Sequence, residues 1–145
     1  MFFLRIMRDV EYRINCKKST IISKILLAIN KIKLRQYIVK LGSAIYPNTL
    51  EKGLTLWHYG SSGVHKSVKG GKYVTLQSGV NISENVTLGN DVYFASDSKI
   101  IEIVSIANGV IIRSNAVVTK NILEENTTWV DVPEKLYLIK VTKGS

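Results

Sequence analysis

Residues 64–118 read VHKSVKGGKYVTLQSGVNISENVTLGNDVYFASDSKIIEIVSIANGVIIRSNAVV, and this stretch decides the fold. Every sixth residue from Val64 is large and apolar, with Gly70 as the exception. The column consists of Val64, Gly70, Leu76, Ile82, Leu88, Phe94, Ile100, Ile106, Ile112 and Val118. The position two residues earlier is always small or β-branched, as in Val68, Val74, Ser98 and Ala116. A period of six matches neither the 3.6-residue turn of an α-helix nor the two-residue alternation of a flat strand.

A chain that turns a corner every six residues accounts for both columns. Three short strands then form one coil of about eighteen residues, and each coil stacks on the next. The sixth-residue side chains point into a narrow core, and small residues such as Gly71, Gly89 and Ala107 fit the corners beside them. The sequence therefore predicts a mainly β fold, a single-stranded parallel β-helix of about four coils over residues 44–121.

The chain before the β-helix has a helical period. Apolar residues three and four apart predict an amphipathic α-helix: the stripe consists of Ile22, Ile25, Leu26, Ile29 and Ile32 and continues through Leu34, Tyr37, Ile38 and Leu41. Ser19 or Thr20 can cap its start and Gly42 can end it. Residues 5–16 predict a shorter helix.

Three segments follow from these patterns. Residues 1–43 form a basic helical segment, residues 44–121 form the β-helix, and residues 122–145 form a C-terminal tail that packs on the β-helix. Residues 1–43 contain ten of the 20 Lys and Arg residues and two of the 11 Asp and Glu residues, so they carry +8 of the net +9 charge. Such a segment suits an anionic membrane surface or another polyanion, and a solvated helix face is the alternative. Because no aromatic side chains alternate with the basic ones, nucleic acid is not expected.

Several classes of protein are excluded by the same sequence. The longest stretch without a charged residue, residues 53–65, is shorter than the roughly 20 apolar residues that span a membrane. Arg5 and Arg8 interrupt any apolar segment of a signal peptide. Cys16 is the only cysteine, so an internal disulfide and a cysteine-based zinc site are excluded, and we expect a cytoplasmic protein, peripheral to the membrane if the basic segment binds lipid.

The columns resemble those of the hexapeptide-repeat acyltransferases, and the similarity is greatest to the serine acetyltransferase branch with its relatives in surface-polysaccharide clusters. Residues 45–54 (IYPNTLEKGL) are similar to the segment at which the family's β-helix begins, and residues 56–64 (LWHYGSSGV) to the segment with its catalytic histidine. Residues 92–100 (VYFASDSKI) and 112–120 (IRSNAVVTK) resemble its Gly/Ala-rich turns and closing Val-Val-Thr-Lys. The resemblance extends over residues 38–138 and implies a left-handed coil.

This resemblance implies an O-acetyltransferase that uses acetyl-CoA as co-substrate and acts on a hydroxyl of serine or of a sugar, as in surface-polysaccharide biosynthesis. It also implies a homotrimer with sites between subunits. His58 matches the catalytic histidine. Because a hydroxyl is a poor nucleophile at neutral pH, this imidazole would take its proton during attack on the thioester, while backbone N–H groups stabilise the oxyanion. His65 directly follows an inward valine and is interpreted as a corner or surface residue.

The resemblance also implies a coenzyme A site. Ser96 and Ser114, one coil apart, match turn positions whose backbone lines the pantetheine groove. Thr119 and Lys120 match the closing Thr-Lys, and Lys135 matches a basic residue placed for the nucleotide phosphates. No metal is expected.

Departures from the family's pattern leave the acceptor open. Trp57 stands where an Asp usually orients the imidazole, and Arg113 replaces a usual Gly. Residues 77–94 continue at six-residue spacing where the family commonly inserts a loop with another active-site histidine. Val130 and Asp131 replace the small residues at the end of the groove. The alternatives are N-acyl transfer to an amino sugar and a non-catalytic trimeric β-helix module. A metal-dependent lyase on the same fold needs three histidines, and the chain has two.

Overall fold

The computed structural model of the chain describes residues 2–16, 20–58, 60–101, 103–130 and 137–139. Two helices come first, α1 (Phe2–Asn15) and α2 (Ile21–Leu41). The strands of the described residues are β1 (Ala44–Ile45), β2 (Thr55–Leu56), β3 (Gly63–Val64), β4 (Lys69–Gly70), β5 (Thr75–Leu76), β6 (Asn81–Ile82), β7 (Thr87–Leu88), β8 (Tyr93–Phe94), β9 (Lys99–Ile100), β10 (Ser105–Ile106), β11 (Ile111–Ile112), β12 (Val117–Val118), β13 (Thr128–Val130) and β14 (Tyr137–Ile139).

The strands form three faces of a parallel β-helix. Sheet A has the order β1-β3-β6-β9-β12, sheet B has β4-β7-β10, and sheet C has β2-β5-β8-β11-β13-β14. From β3 to β12, strands that pair on one face are 18 residues apart and in register, so that Ile82 lies between Val64 and Ile100. This is the left-handed parallel β-helix with N-terminal helices that the sequence predicts, and it has about five turns. The sequence count gave about four coils because it stopped at Asn121, before β13.

Both predicted columns form the core. Every residue of the six-residue column is buried, and so is the column of small and β-branched residues beside it. Phe94 and Ile100 are fully buried, and each stacks on its counterparts in the coils before and after. Burial on every coil means that each aliphatic side chain finds its partner within the repeat itself.

The α2 helix begins and ends at the predicted capping residues. The hydroxyl of Thr20 accepts a hydrogen bond from the N–H of Ser23 at 3.2 Å, and Gly42 adopts the left-handed conformation with φ 62°. Of residues 21–41, all of which the structure describes, Leu34 alone is buried. The predicted apolar stripe from Ile22 to Ile32 is exposed and faces away from the core.

The α1 helix is longer than the predicted residues 5–16 at its start, because Phe3 near its first turn is buried together with Met7 and Val10. Its side chains form hydrogen bonds with the backbone of the first coil. The guanidinium of Arg8 pairs with Glu11 at 2.6 Å and donates to the carbonyl oxygens of Leu50, at 2.9 Å, and of Glu51. A Glu11 carboxylate oxygen accepts from the N–H of Asn48 at 2.7 Å. The helix therefore covers the N-terminal end of the β-helix.

The C-terminal segment extends sheet C. β13 pairs with β11 in parallel, and β14 pairs with β13 in the antiparallel direction. Residues 131–136 and 140–145 of the predicted tail lie outside the described residues. Across the described residues, none of the helices has the length and apolar character needed to cross a bilayer.

Candidate functional site

The register of sheet C brings three of the predicted site residues to one corner. Leu56, Leu76, Phe94 and Ile112 pair in that order on neighbouring strands. Two positions after each of them come His58, Ser78, Ser96 and Ser114. These four residues therefore lie along the corner where the chain passes from sheet C to sheet A, which we call the C–A corner. Ser78, between His58 and Ser96, was not singled out by the sequence analysis.

The corner that holds His58 is wider than those that follow. Six residues, 57–62, connect β2 to β3, whereas four residues, 77–80, connect β5 to β6. Gly60 adopts φ 131° there, a conformation that glycine accommodates more easily than other residues. The two additional residues change the corner without disturbing the register of the flanking strands, since Leu56 still pairs with Leu76 and Val64 with Ile82.

The wide corner is anchored to the next coil at both ends. The N–H of Trp57 donates to the carbonyl oxygen of Leu76 at 3.1 Å, and the carbonyl oxygen of Gly60 accepts from Gly79 at 3.1 Å. The buried hydroxyl of Ser62 donates to the carbonyl oxygen of Gln77 at 3.1 Å. His58 therefore projects from a backbone that is held by hydrogen bonds on either side of it.

The His58 side chain itself is exposed, and within the described part of the chain no hydrogen bond to its imidazole is found. Trp57, at the position where the resemblance would place an aspartate, is 62% exposed. An imidazole acts as an oriented general base when a second group fixes its ring and tautomer. The described residues of the chain do not provide that group.

A polar network lies in the coils next to His58. The Ser96 hydroxyl donates to the side-chain oxygen of Gln77 at 2.7 Å, and the Gln77 amide nitrogen donates to the hydroxyl of Tyr93. Sequence reasoning missed Gln77. Its position could have indicated it: Gln77 directly follows the inward-facing Leu76. It therefore occupies the same place in its coil as Trp57, Ala95 and Arg113 do in theirs. The network holds the Ser96 hydroxyl within its own corner, whereas the prediction for this position concerns its backbone, which would line the pantetheine groove.

Thr119 and Lys120 lie at a different corner. They follow β12 at the end of sheet A, whose residues Val64, Ile82, Ile100 and Val118 pair in register. Thr119 therefore shares a column with His65, at the edge where the chain leaves sheet A. The predicted coenzyme A residues are thus divided between the two edges of sheet A. Lys135 lies outside the described residues.

His65 is held more firmly than His58. It is half-buried, and its Nδ1 accepts from the backbone N–H of Ser67 at 3.3 Å and lies 2.8 Å from the Ser67 hydroxyl. That hydroxyl in turn accepts from the N–H of Asn85 at 2.8 Å. Since a backbone N–H can only donate, Nδ1 is an acceptor and the neutral ring carries its proton on Nε2. The sequence analysis placed His65 at a corner, where it lies, but did not predict its hydrogen bonds with Ser67.

Sheet A carries a shallow cavity between the two edges. Its volume is about 450 Å³, and its lining includes Gly63, His65, Asn81, Ser83 and Lys99. An open, mostly apolar depression with a few polar groups suits an elongated ligand or the surface of a neighbouring subunit. Across the described residues, no group of three or more His, Cys, Asp and Glu side chains could hold a metal ion.

Comparisons with protein-family models, with curated proteins and with solved structures find no match to this chain. The fold is therefore established from the repeat and the structure, and the acyltransferase family remains a resemblance carried by the sequence motifs.

Proposed function

We propose that the protein is an acetyl-CoA-dependent O-acetyltransferase that acts on a hydroxyl of serine or of a sugar. The observation that supports this most is the C–A corner, where His58, Ser96 and Ser114 lie in register on a β-helix whose motifs resemble that family. His58 projects from an anchored corner and is open to an incoming acceptor.

In the proposed reaction, His58 takes the proton of the acceptor hydroxyl as its oxygen attacks the thioester carbonyl. Backbone N–H groups stabilise the negative charge on the carbonyl oxygen. The carbon–sulfur bond then breaks, a new carbon–oxygen ester bond remains, and the proton passes from the imidazole to the departing thiolate of coenzyme A. The products are an acetyl ester and free coenzyme A.

A homotrimer would account for the separation of the predicted coenzyme A residues between the two edges of sheet A. One coenzyme A molecule contacts both Ser96 and Thr119 if it lies along sheet A, or if these residues come from neighbouring subunits. A neighbouring subunit on sheet A would also shield His58 and supply a group that orients it. We expect light scattering to give about three times the 16.2 kDa chain mass. A stable, active monomer would refute this part of the proposal.

The decisive experiment replaces each histidine in turn. His58→Ala should lower turnover by about 10²- to 10⁴-fold, which corresponds to about 3–5 kcal/mol of activation free energy. Coenzyme A affinity and thermal stability should stay near wild type, because the side chain is exposed. The matched control is His65→Ala, which we expect to change turnover by less than about tenfold. Equal losses in the two variants, or near-normal turnover in His58→Ala, would contradict the assignment.

The acceptor is identified by measuring thiol release with serine, amino sugars and oligosaccharides as substrates. Acetylation of an amino group in an amino sugar would favour the N-acyltransferase alternative, which the same fold supports through a different acceptor pocket.

A non-catalytic trimeric module is a second candidate. The lack of a partner for the His58 imidazole among the described residues, together with Trp57 beside it, favours this candidate. Titration with coenzyme A separates the two, because a scaffold has no need to bind it. Absence of coenzyme A binding, together with no turnover over the whole acceptor panel, would favour the scaffold.

A further inference from the structure

The α2 helix has apolar side chains on two opposite sides. Leu27, Leu34 and Ile38 lie on the inner side and pack against the hydrophobic core. The side chains on the other side are Ile21, Ile22, Ile25, Leu26, Ile29 and Ile32, which we call the outer face; they are 38–78% exposed. An ordinary surface helix is polar on the side that its protein leaves open. The outer face is therefore a surface that lacks its partner in one isolated chain.

The charge on α2 indicates the chemistry of that partner. Residues 21–41 contain Lys24, Lys31, Lys33, Arg35 and Lys40 and no Asp or Glu. The salt bridge found among the described residues joins Arg8 to Glu11 on α1 and involves none of these cations. Near the end of the helix, Arg35 and Lys40 border one shallow groove together with Ile32 and Val39. Exposed apolar and cationic side chains thus share a single surface.

We propose that the outer face of α2 docks on an anionic lipid bilayer, with the helix lying in the plane of the interface. Its isoleucines would enter the boundary between headgroups and acyl chains. The Lys and Arg side chains would extend from the same helix to the lipid phosphates, with their aliphatic parts covering apolar surface. Five cations within 21 residues suit the surface of a membrane and not its interior.

Charge favours lipid over the α2 helix of a second copy of this chain. Two outer faces packed on each other would bring five cations of one α2 close to five of the other, without an acidic residue on either helix. Like charges at that distance repel, whereas an anionic bilayer attracts every one of them. The proposal is independent of the acetyltransferase assignment, since binding to vesicles requires no substrate.

The test is sedimentation of the full chain with vesicles at low salt. Vesicles of phosphatidylcholine alone are compared with vesicles that also contain phosphatidylserine. We expect binding to the anionic vesicles that is at least about tenfold tighter and that weakens as salt is added. The double variant Ile25→Ser/Ile29→Ser should lose at least about tenfold in affinity. The triple variant Lys24→Gln/Lys31→Gln/Arg35→Gln should lose roughly a hundredfold, since each cation near an anionic surface contributes a factor of about five.

A matched control comes from the β-helix. Ile103 and Leu123 are more exposed, at 76% and 75%, than Ile25 and Ile29, at 55% and 41%, and Ile103→Ser/Leu123→Ser should bind vesicles like wild type. Thermal unfolding confirms that each variant is folded. Equal binding to neutral and anionic vesicles, or equal losses in the Ile25/Ile29 and Ile103/Leu123 variants, would overturn the proposal. So would light scattering in which Ile25→Ser/Ile29→Ser dissociates an oligomer that does not bind vesicles, because the outer face would then join copies of this chain.

Discussion

The β-helix and α2 both carry regular apolar stripes, yet the structure treats them in opposite ways. In the β-helix, each aliphatic side chain meets its counterpart one coil away, and Phe94 and Ile100 are fully buried. On α2, the equally regular stripe is exposed, with Ile22 at 70%. A solenoid supplies the partner of each apolar residue by repeating itself. A single helix supplies one half of a contact, and something else must supply the other half.

The largest effect expected from this difference is on stability. Phe94→Ala removes a ring that is stacked between Leu76 and Ile112, so the free energy of unfolding should fall by about 3–5 kcal/mol. Ile22→Ala, the matched change in the exposed stripe, should alter it by less than about 0.5 kcal/mol. Urea denaturation of both variants measures the contrast. Comparable losses would show that the outer face of α2 is covered in solution.

A smaller effect is expected where a glycine lies against the backbone of the next coil. A Cβ added at Gly89 would lie 2.7 Å from backbone atoms of Ala107 and Asn108, so Gly89→Val requires the backbone to move. The free energy of unfolding should fall by about 1–3 kcal/mol, again measured in urea. Lys72→Ala, an exposed change beside Gly71 in the neighbouring coil, serves as the control and should be close to neutral. Wild-type stability in Gly89→Val would mean that the coils tolerate a wider spacing.

The smallest expected effect on the free energy of unfolding concerns the residue that caps α2. Thr20→Ala removes the hydroxyl that caps α2 and should lower the free energy of unfolding by about 1 kcal/mol. Hydrogen exchange should show the loss at the first turn of α2, with protection in the β-helix unchanged. Thr20→Ser keeps the capping oxygen and should restore the protection. An equal loss of protection in α2 and in the β-helix would contradict the expectation that the effect of this cap stays within α2.

The sequence predicted most accurately those features that depend on short-range repetition. Both β-helix columns are buried as predicted, and α2 begins at Thr20 and ends at Gly42 as its capping chemistry requires. These features depend on residues that are close in sequence or separated by a constant period. The early start of α1 was missed, because burial of Phe3 depends on packing against parts of the chain that are distant in sequence.

The candidate site was harder to predict because it lies where the repeat is irregular. The six-residue column begins at Val64, so the wide corner at 57–62 has no period from which its length could be read. The division between Ser96 at one edge of sheet A and Thr119 at the other follows from the three-faced coil, and residue numbers alone do not show it. The contact of His65 with Ser67 was likewise missed, because it depends on the local path of one corner.

The cover that α1 forms over the first coil bears on whether one molecule can stack on the end of another. A stack of parallel coils ends in backbone groups that can accept one more coil, including a coil from another molecule. Here Arg8 and Glu11 occupy such groups at Leu50, Glu51 and Asn48. On this face of the first coil, a coil from another molecule could pair only by displacing α1, so α1 opposes the stacking of one chain upon the next from the N-terminal side.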